Sequence, residues 1–269
     1  MATSTNGARA SWSGSVTFGM VQFPIRLHGA ATDRNIRFNQ VHKECKQRTN
    51  SSTVCRHCAR DVERSELVKG YEVTKGQMVL LEENDFANLP LNSVKSVEVI
   101  ATVDPDDIPV SMVVKTYWVG PDDRVKVGHK AFVLFREALD RSGMVAIGRI
   151  AMTAGRETLV AIRPWGKALA LTTLHWSDEL VASATVEETV SDVEISEAEA
   201  DLADKLVGSL LNAVDVMEQK DAYREALESV IDAKLSGTEP VKMPERQETE
   251  SVDLMAALTA SVDAATKAA

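Results

Sequence analysis

The feature that most constrains this chain is the close spacing of its short β-prone segments. Residues 144–152, 158–163 and 168–176 follow one another with only a few residues between them, and each is rich in Val, Ile, Leu and Thr. The same signal opens the chain. Trp12, Val16 and Phe18 fall at even spacing with small or polar residues between them, the period-two pattern of a half-buried strand. Residues 9–30 therefore predict a strand, a bend near Pro24 and a second strand, with Gly14 and Gly19 as candidate bulges. Further strands are expected as a pair over 71–81, over 94–103, and over 113–119 with Pro121-Asp122-Asp123 as its turn. Helical periodicity interrupts them in two places. Residues 82–89 predict a short helix closed by Pro90. Residues 129–141 carry Phe132, Phe135 and Leu139 at spacings of three and four and stop at Gly143. Many short strands broken by one or two helices imply an α+β chain built on a closed or nearly closed sheet, not a doubly wound parallel one.

After residue 195 the pattern changes. Ser196-x-x-Glu199 is a capping box, and a helical arm is expected over 196–236. Its apolar stripe is Leu202, Leu206, Leu210 and Val214, then, after a break near Lys220-Asp221, Tyr223, Leu227, Val230 and Ile231. Such a face needs cover, either from the chain's own sheet or from a second subunit. Residues 237–250 are polar and contain Pro240, the composition of a flexible linker. Residues 251–269 close the chain with a small amphipathic helix carrying Val252, Leu254, Met255, Leu258 and Val262, either a frayed end or a docking peptide. Residues 1–8 are short, polar and expected to be disordered.

All three cysteines and one of the five histidines lie in the pattern His42-x2-Cys45-x9-Cys55-x2-Cys58. Two x2 pairs flanking a polar hairpin can close around one tetrahedral zinc ion, so the hairpin over 42–58 is a candidate structural zinc clasp. His57 is an alternative fourth ligand, and a disulfide plus one free thiol is an alternative use of the cysteines. A closed four-ligand set leaves no position for water or substrate, which favours a folding role over catalysis. Clustered cysteines also fit a reducing compartment. With no apolar run of about 18 residues and no secretory leader, the expectation is a soluble cytoplasmic, nucleoid-associated protein.

The net charge of −10 conceals a change of sign along the chain. Residues 1–170 hold 23 Lys and Arg against 18 Asp and Glu, whereas residues 171–269 hold 7 against 22. A basic first part can hold a polyanion while the acidic remainder faces solvent. No GxxxxGK[ST] loop, HExxH helix or GxSxG elbow occurs. Asp104-Pro105-Asp106-Asp107 has the carboxylates of a metal site but reads more simply as a loop.

The opening run from Ser11 to Val21, with Pro24-Ile25-Arg26-Leu27, closely resembles the start of the prokaryotic Ku family. Further blocks agree in the same order: His42-Lys43-Glu44-Cys45 with Cys55-x2-Cys58, Val68-Lys69-Gly70-Tyr71-Glu72, Phe135-Arg136-Glu137-Ala138-Leu139, Val145-Ala146-Ile147-Gly148-Arg149, and the closing stretch from Val252 to Leu258. The resemblance implies a β-barrel of short, mostly antiparallel strands over 9–195 with a DNA-encircling bridge, followed by the helical arm as a dimerisation element. It implies a homodimeric ring that threads double-stranded DNA ends, acts as a scaffold with no catalytic residue, and recruits an ATP-dependent DNA ligase for non-homologous end joining. A ring that accepts any end contacts phosphates rather than bases. The basic residues near the family-like blocks are therefore its expected lining: Arg34, Arg37, Lys69, Lys75, Lys130, Arg136, Arg149 and Arg156. Leu254, Met255 and Leu258 are the expected ligase-docking residues. Long lysine-rich tails found in some members are missing, so the chain resembles the minimal form. Two rivals stand beside this reading: a zinc-dependent nuclease using the carboxylates at 104–107, and a zinc-ribbon transcription factor.

Overall fold

The computed structural model describes residues 10–87, 89, 95–125, 128–153, 156–209, 211, 215–238, 259, 261 and 262. It divides into two compact units, Met1–Arg34 with Asn39–Ala182, and Asn35–Phe38 with Ser183–Ala269.

The first unit begins with β1 (Trp12–Phe18) and β2 (Val21–Gly29). Two small hairpins follow, β3 (Val54–Cys55) with β4 (Arg60–Asp61) and β5 (Lys69–Thr74) with β6 (Gln77–Leu81), then a short helix α1 (Glu83–Ala87). Strands β7 (Ser96–Val103) and β8 (Val113–Pro121), helix α2 (His129–Ser142), and strands β9 (Val145–Thr153), β10 (Arg156–Trp165) and β11 (Ala168–Leu174) complete it. Seven strands close into a barrel in the order β1-β2-β8-β11-β10-β9-β7. Every neighbouring pair is antiparallel except β1 and β7, which close the barrel in parallel with Val16 opposite Val97. Closure leaves the sheet no free edge.

Alternation fills the interior. Phe23, Ile25 and Leu27 of β2, Val160 and Ile162 of β10, and Leu169 and Leu171 of β11 are buried in one cluster with Val16, Val97 and Val119. Helix α2 adds Phe132, Phe135 and Leu139 to that cluster, the three positions its period marks as apolar. The Phe23 ring lies 5.6 Å from Phe135 and 6.1 Å, edge-on, from Phe132, while Phe18 lies 5.2 Å from Phe135. Gly143, left-handed at φ 68°, ends the helix as expected. A smaller cluster of Val145, Ala161 and Leu174 is covered by Ile108 and Met112, carried by the 3-10 turns Pro105–Asp107 and Val110–Met112. Asp104 caps the first of these turns, its carboxylate accepting the Asp106 N–H at 3.0 Å.

The start of the chain departs from expectation. The reversal falls at Gly19-Met20, where Gly19 has φ 56°, and not at Pro24. Pro24 lies inside β2 opposite Ser15, next to the last β8 pairing at Ile25 and Pro121, so its missing N–H falls at the margin of that ladder. Gly14 makes no bulge. It pairs in register with Ile25, and a Cβ there would collide with the Lys95 carbonyl and the Trp12 indole, so the glycine permits a close approach. The irregular positions lie instead at Val99/Ala101, Arg156/Glu157 and Thr173/Leu174, on strands that bend around the closed sheet.

The second unit holds α3 (Ala184–Glu187), α4 (Glu197–Ser209) and α5 (Ala222–Ser236). Ser196 and Glu199 cap α4 reciprocally, Ser196 N–H to Glu199 Oε2 at 2.8 Å and Glu199 N–H to Ser196 Oγ at 3.3 Å. Helix α4 ends at Ser209, earlier than the expected break near Lys220-Asp221, a 3-10 turn covers Val216–Glu218, and Asp221 caps α5 by accepting the Arg224 N–H at 3.0 Å. Leu202, Leu206, Leu227, Val230 and Ile231 are half-buried and Tyr223 is exposed, while Leu210 and Val214 lie outside the described residues. No described residue of α4 or α5 is fully buried.

Candidate nucleic-acid interface

The expected lining residues fall on several elements. Arg34 follows β2 and is exposed, and Arg37, also exposed, belongs to the second unit. Lys69 begins β5, with its ammonium 4.1 Å from the Phe86 ring centroid, a cation–π contact that holds it on the hairpin. Lys75 sits in the β5–β6 turn beside Gly76, whose φ of 88° makes the turn tight. Lys130 is exposed in the first turn of α2.

Arg149 projects from β9 among interior neighbours Gly148 and Ile150, so alternation places it on the barrel's outer surface. Register sets Glu98 of β7 directly opposite it. Arg156 starts β10 and, after the stronger hydrogen bonds from His175 and the Trp176 N–H, helps to hold the Glu179 carboxyl below the usual range. Arg136 is held by hydrogen bonds within the fold: it donates to the Gly166 carbonyl at 3.0 Å, pairs with Glu137 at 3.4 Å, and its side chain is only 19% exposed. It ties α2 to the β10–β11 turn.

The cysteine hairpin is built from two small turns. In the first, bridged by Val41 and Arg48, His42 Nδ1 lies 3.2 Å from Cys45 Sγ, and Lys46 takes a left-handed φ of 58°. In the second, β3 and β4 hold Cys55 and Cys58 around a turn ending at left-handed Ala59. The N–H of Cys58, its thiol and the His57 N–H lower the Cys55 pKa, while Cys58 is pushed up by Cys55. A thiolate stabilised by backbone N–H groups is the donor that zinc takes, so each pair fits half of a tetrahedral site. Among the described residues no three His, Cys, Asp or Glu side chains come together as a metal-holding group. The structure forms two separate turns carrying these residues and does not bring all four together.

Sequence reading missed several polar groups on the barrel. Asp122 is almost fully buried and takes two bonds from Arg124, at 3.0 Å from Nε and 2.8 Å from an Nη. Those bonds, with the Arg124 N–H and the nearby Arg26 charge, hold its pKa down to about 2. Arg163 also escaped notice, and it and Arg26 each have a buried Nε without a hydrogen-bond partner among the described residues. Leu254, Met255 and Leu258 lie outside the described residues.

A closed seven-stranded barrel with one helix packed on its core, and with two small hairpins between its second strand and the next barrel strand, defines a class of β-barrel domain. The family model for the Ku70/Ku80 beta-barrel domain matches residues 17–202. The chain is 37% identical over 96% of its length to "Non-homologous end joining protein Ku 2" of Saccharopolyspora erythraea, covering 85% of that protein. It is 36% identical over 95% of its length to "Non-homologous end joining protein Ku" of Archaeoglobus fulgidus, covering 99% of it, and 31% identical over 94% to the protein of that name from Bacillus subtilis, covering 81%. The chain belongs to the Ku family. Proteins of that family are scaffolds rather than enzymes, and so is this one.

Proposed function

We propose that the chain binds double-stranded DNA ends without regard to sequence, as a homodimeric ring, and recruits an ATP-dependent DNA ligase in non-homologous end joining. The observation that carries the reading is likeness to proteins named for end joining across nearly the whole chain, barrel and helical part alike. The basic surplus of residues 1–170 supports it, as do the exposed cations on β9 and on the β5–β6 hairpin. Phosphate contacts are what a protein indifferent to sequence requires. No described helix is long and apolar enough to cross a membrane, and work on DNA fits a cytoplasmic, nucleoid-associated protein. The test is competition between linear DNA and a closed circle of the same sequence at two salt concentrations. Linear DNA should compete far better, and both should weaken steeply as salt rises. Equal competition would indicate an interior binder such as a zinc-ribbon transcription factor.

Residues 251–269, with Leu254, Met255 and Leu258, are the proposed ligase-docking helix, an apolar face of the kind that seats in a partner's groove. Deleting them should abolish stimulation of the ligase while leaving DNA binding within about twofold. Full stimulation by the truncated chain would place docking elsewhere. His42, Cys45, Cys55 and Cys58 are proposed to hold a structural zinc ion, which would join the two halves of the hairpin and supply folding energy. The nuclease reading gains nothing from Asp104, whose carboxylate is occupied in capping a turn.

A further inference from the structure

Strands β2, β8, β11 and β10 are neighbours in the barrel, and their outward positions make one continuous surface. Register places His28 beside Trp118, Trp118 beside Ala170, and Ala170 beside Arg163. The floor is made of small side chains, Ala161, Ala170 and Thr172, and two indoles and a guanidinium rise around it. They enclose a depression of about 350 Å³, lined by Trp118, Trp165, Arg163, Thr116 and Ile108 among others. The Trp118 and Trp165 ring centroids are 5.4 Å apart with planes inclined by 35°, and Trp165 is 62% exposed.

Arg163 supplies the cation of that lining: the residue is half-buried, and its Nε is buried without a hydrogen-bond partner among the described residues. A guanidinium held partly out of water is favoured by an anionic acceptor at the N–H groups that still reach the surface. Indole faces stack on any nucleobase, and a guanidinium takes the attached phosphate. Bases inside a duplex are stacked on both faces, and the last pair of a blunt end offers only one face and stays tied to its partner strand, whereas an unpaired base can leave the stack. A depression of this volume suits one small-molecule-sized group. We propose that this outer face binds an unpaired nucleotide in the single-stranded overhang of a broken DNA end. The inference rests on the end-binding reading and adds to it a site that senses whether the end is blunt.

The experiment compares the full-length protein on two hairpin duplexes with the same paired stem, one blunt and one carrying a short oligothymidine overhang. The native chain should prefer the overhang by about tenfold, the effect of stacking one base. Trp165→Ala and Arg163→Gln should erase that preference, Trp165→Phe should retain most of it, and blunt-end affinity should be unchanged in all three. Equal affinity of the native chain for the two duplexes would overturn the proposal, as would a preference that survives Trp165→Ala. Displacement of the overhang by adenosine monophosphate at comparable concentration would assign the pocket to a free nucleotide and refute it. A change of oligomeric mass in Trp165→Ala would assign the face to a second copy and refute it equally. Failure to bind either duplex would defeat the end-binding reading, and this inference with it.

Discussion

Asp122 shows how much a single side chain can contribute where strand β8 ends. It is nearly inaccessible, accepts two guanidinium bonds from Arg124, and its N–H bonds the Pro24 carbonyl at 3.2 Å, so it joins the β8 exit to β2. Its folded pKa of about 2 lies below the ordinary 3.8, so as pH falls the unfolded chain takes up the proton first. The stabilisation is therefore complete above about pH 4 and disappears as pH falls towards 2. Asp122→Asn should lower the thermal midpoint at pH 7 and leave a shrinking difference from the native chain as the pH is taken from 4 to 2.5. A constant difference across that range would mean that packing, not ionisation, is what Asp122 supplies. Sequence alone marked Asp122 only as part of a turn, since nothing in Pro121-Asp122-Asp123 shows that one carboxylate is buried and its neighbour exposed. Arg136 carries the same lesson. Its place in a family-like block suggested DNA, yet its bond to Gly166 depends on a turn distant in sequence.

Among the elements, those with a strong period were legible. Helix α2 appears within a residue of its expected limits because Phe132, Phe135 and Leu139 define its inner face and Gly143 its end. The capping box at Ser196 was equally readable, since caps are local chemistry, whereas the end of α4 at Ser209 was not. What could not be read was pairing. The parallel closure of β1 on β7 and the surface that sets Trp118 and Arg163 on either side of Ala170 both arise from register, which residues far apart in sequence decide together. The short helix α3 also went unseen, being only four residues long. The cysteine hairpin lies between these extremes: the spacing of each x2 pair was legible, while their use to hold one ion is a proposal. Purified chain should carry about one zinc per subunit, and Cys55→Ser with Cys58→Ser should release it. Chelation should speed proteolysis within residues 42–58 while the near-ultraviolet signal of the barrel persists. A metal-free preparation with the same cleavage pattern would remove zinc from the account.

For the whole molecule the unequal distribution of charge is the governing fact. An average of −10 would predict repulsion from DNA, but the surplus of cations lies in residues 1–170 and the excess of acid beyond them. Binding driven by phosphate contacts releases counterions, so the slope of log K against log salt counts the cations engaged. Lys69, braced on Phe86, and Arg149, exposed on β9, are positioned to be counted, whereas Arg136 is engaged by Gly166 and Glu137. Lys69→Ala and Arg149→Ala should each reduce the magnitude of the slope by about 0.9, to a similar extent on unrelated DNA sequences. Arg136→Gln should lower thermal stability by about 1 kcal/mol through the lost hydrogen bond, with less effect on the slope. The two outcomes separate a cation that faces phosphate from one that fastens a helix. An unchanged slope in the Lys69 and Arg149 variants would take both out of the interface and leave the basic surplus to other residues of the first unit.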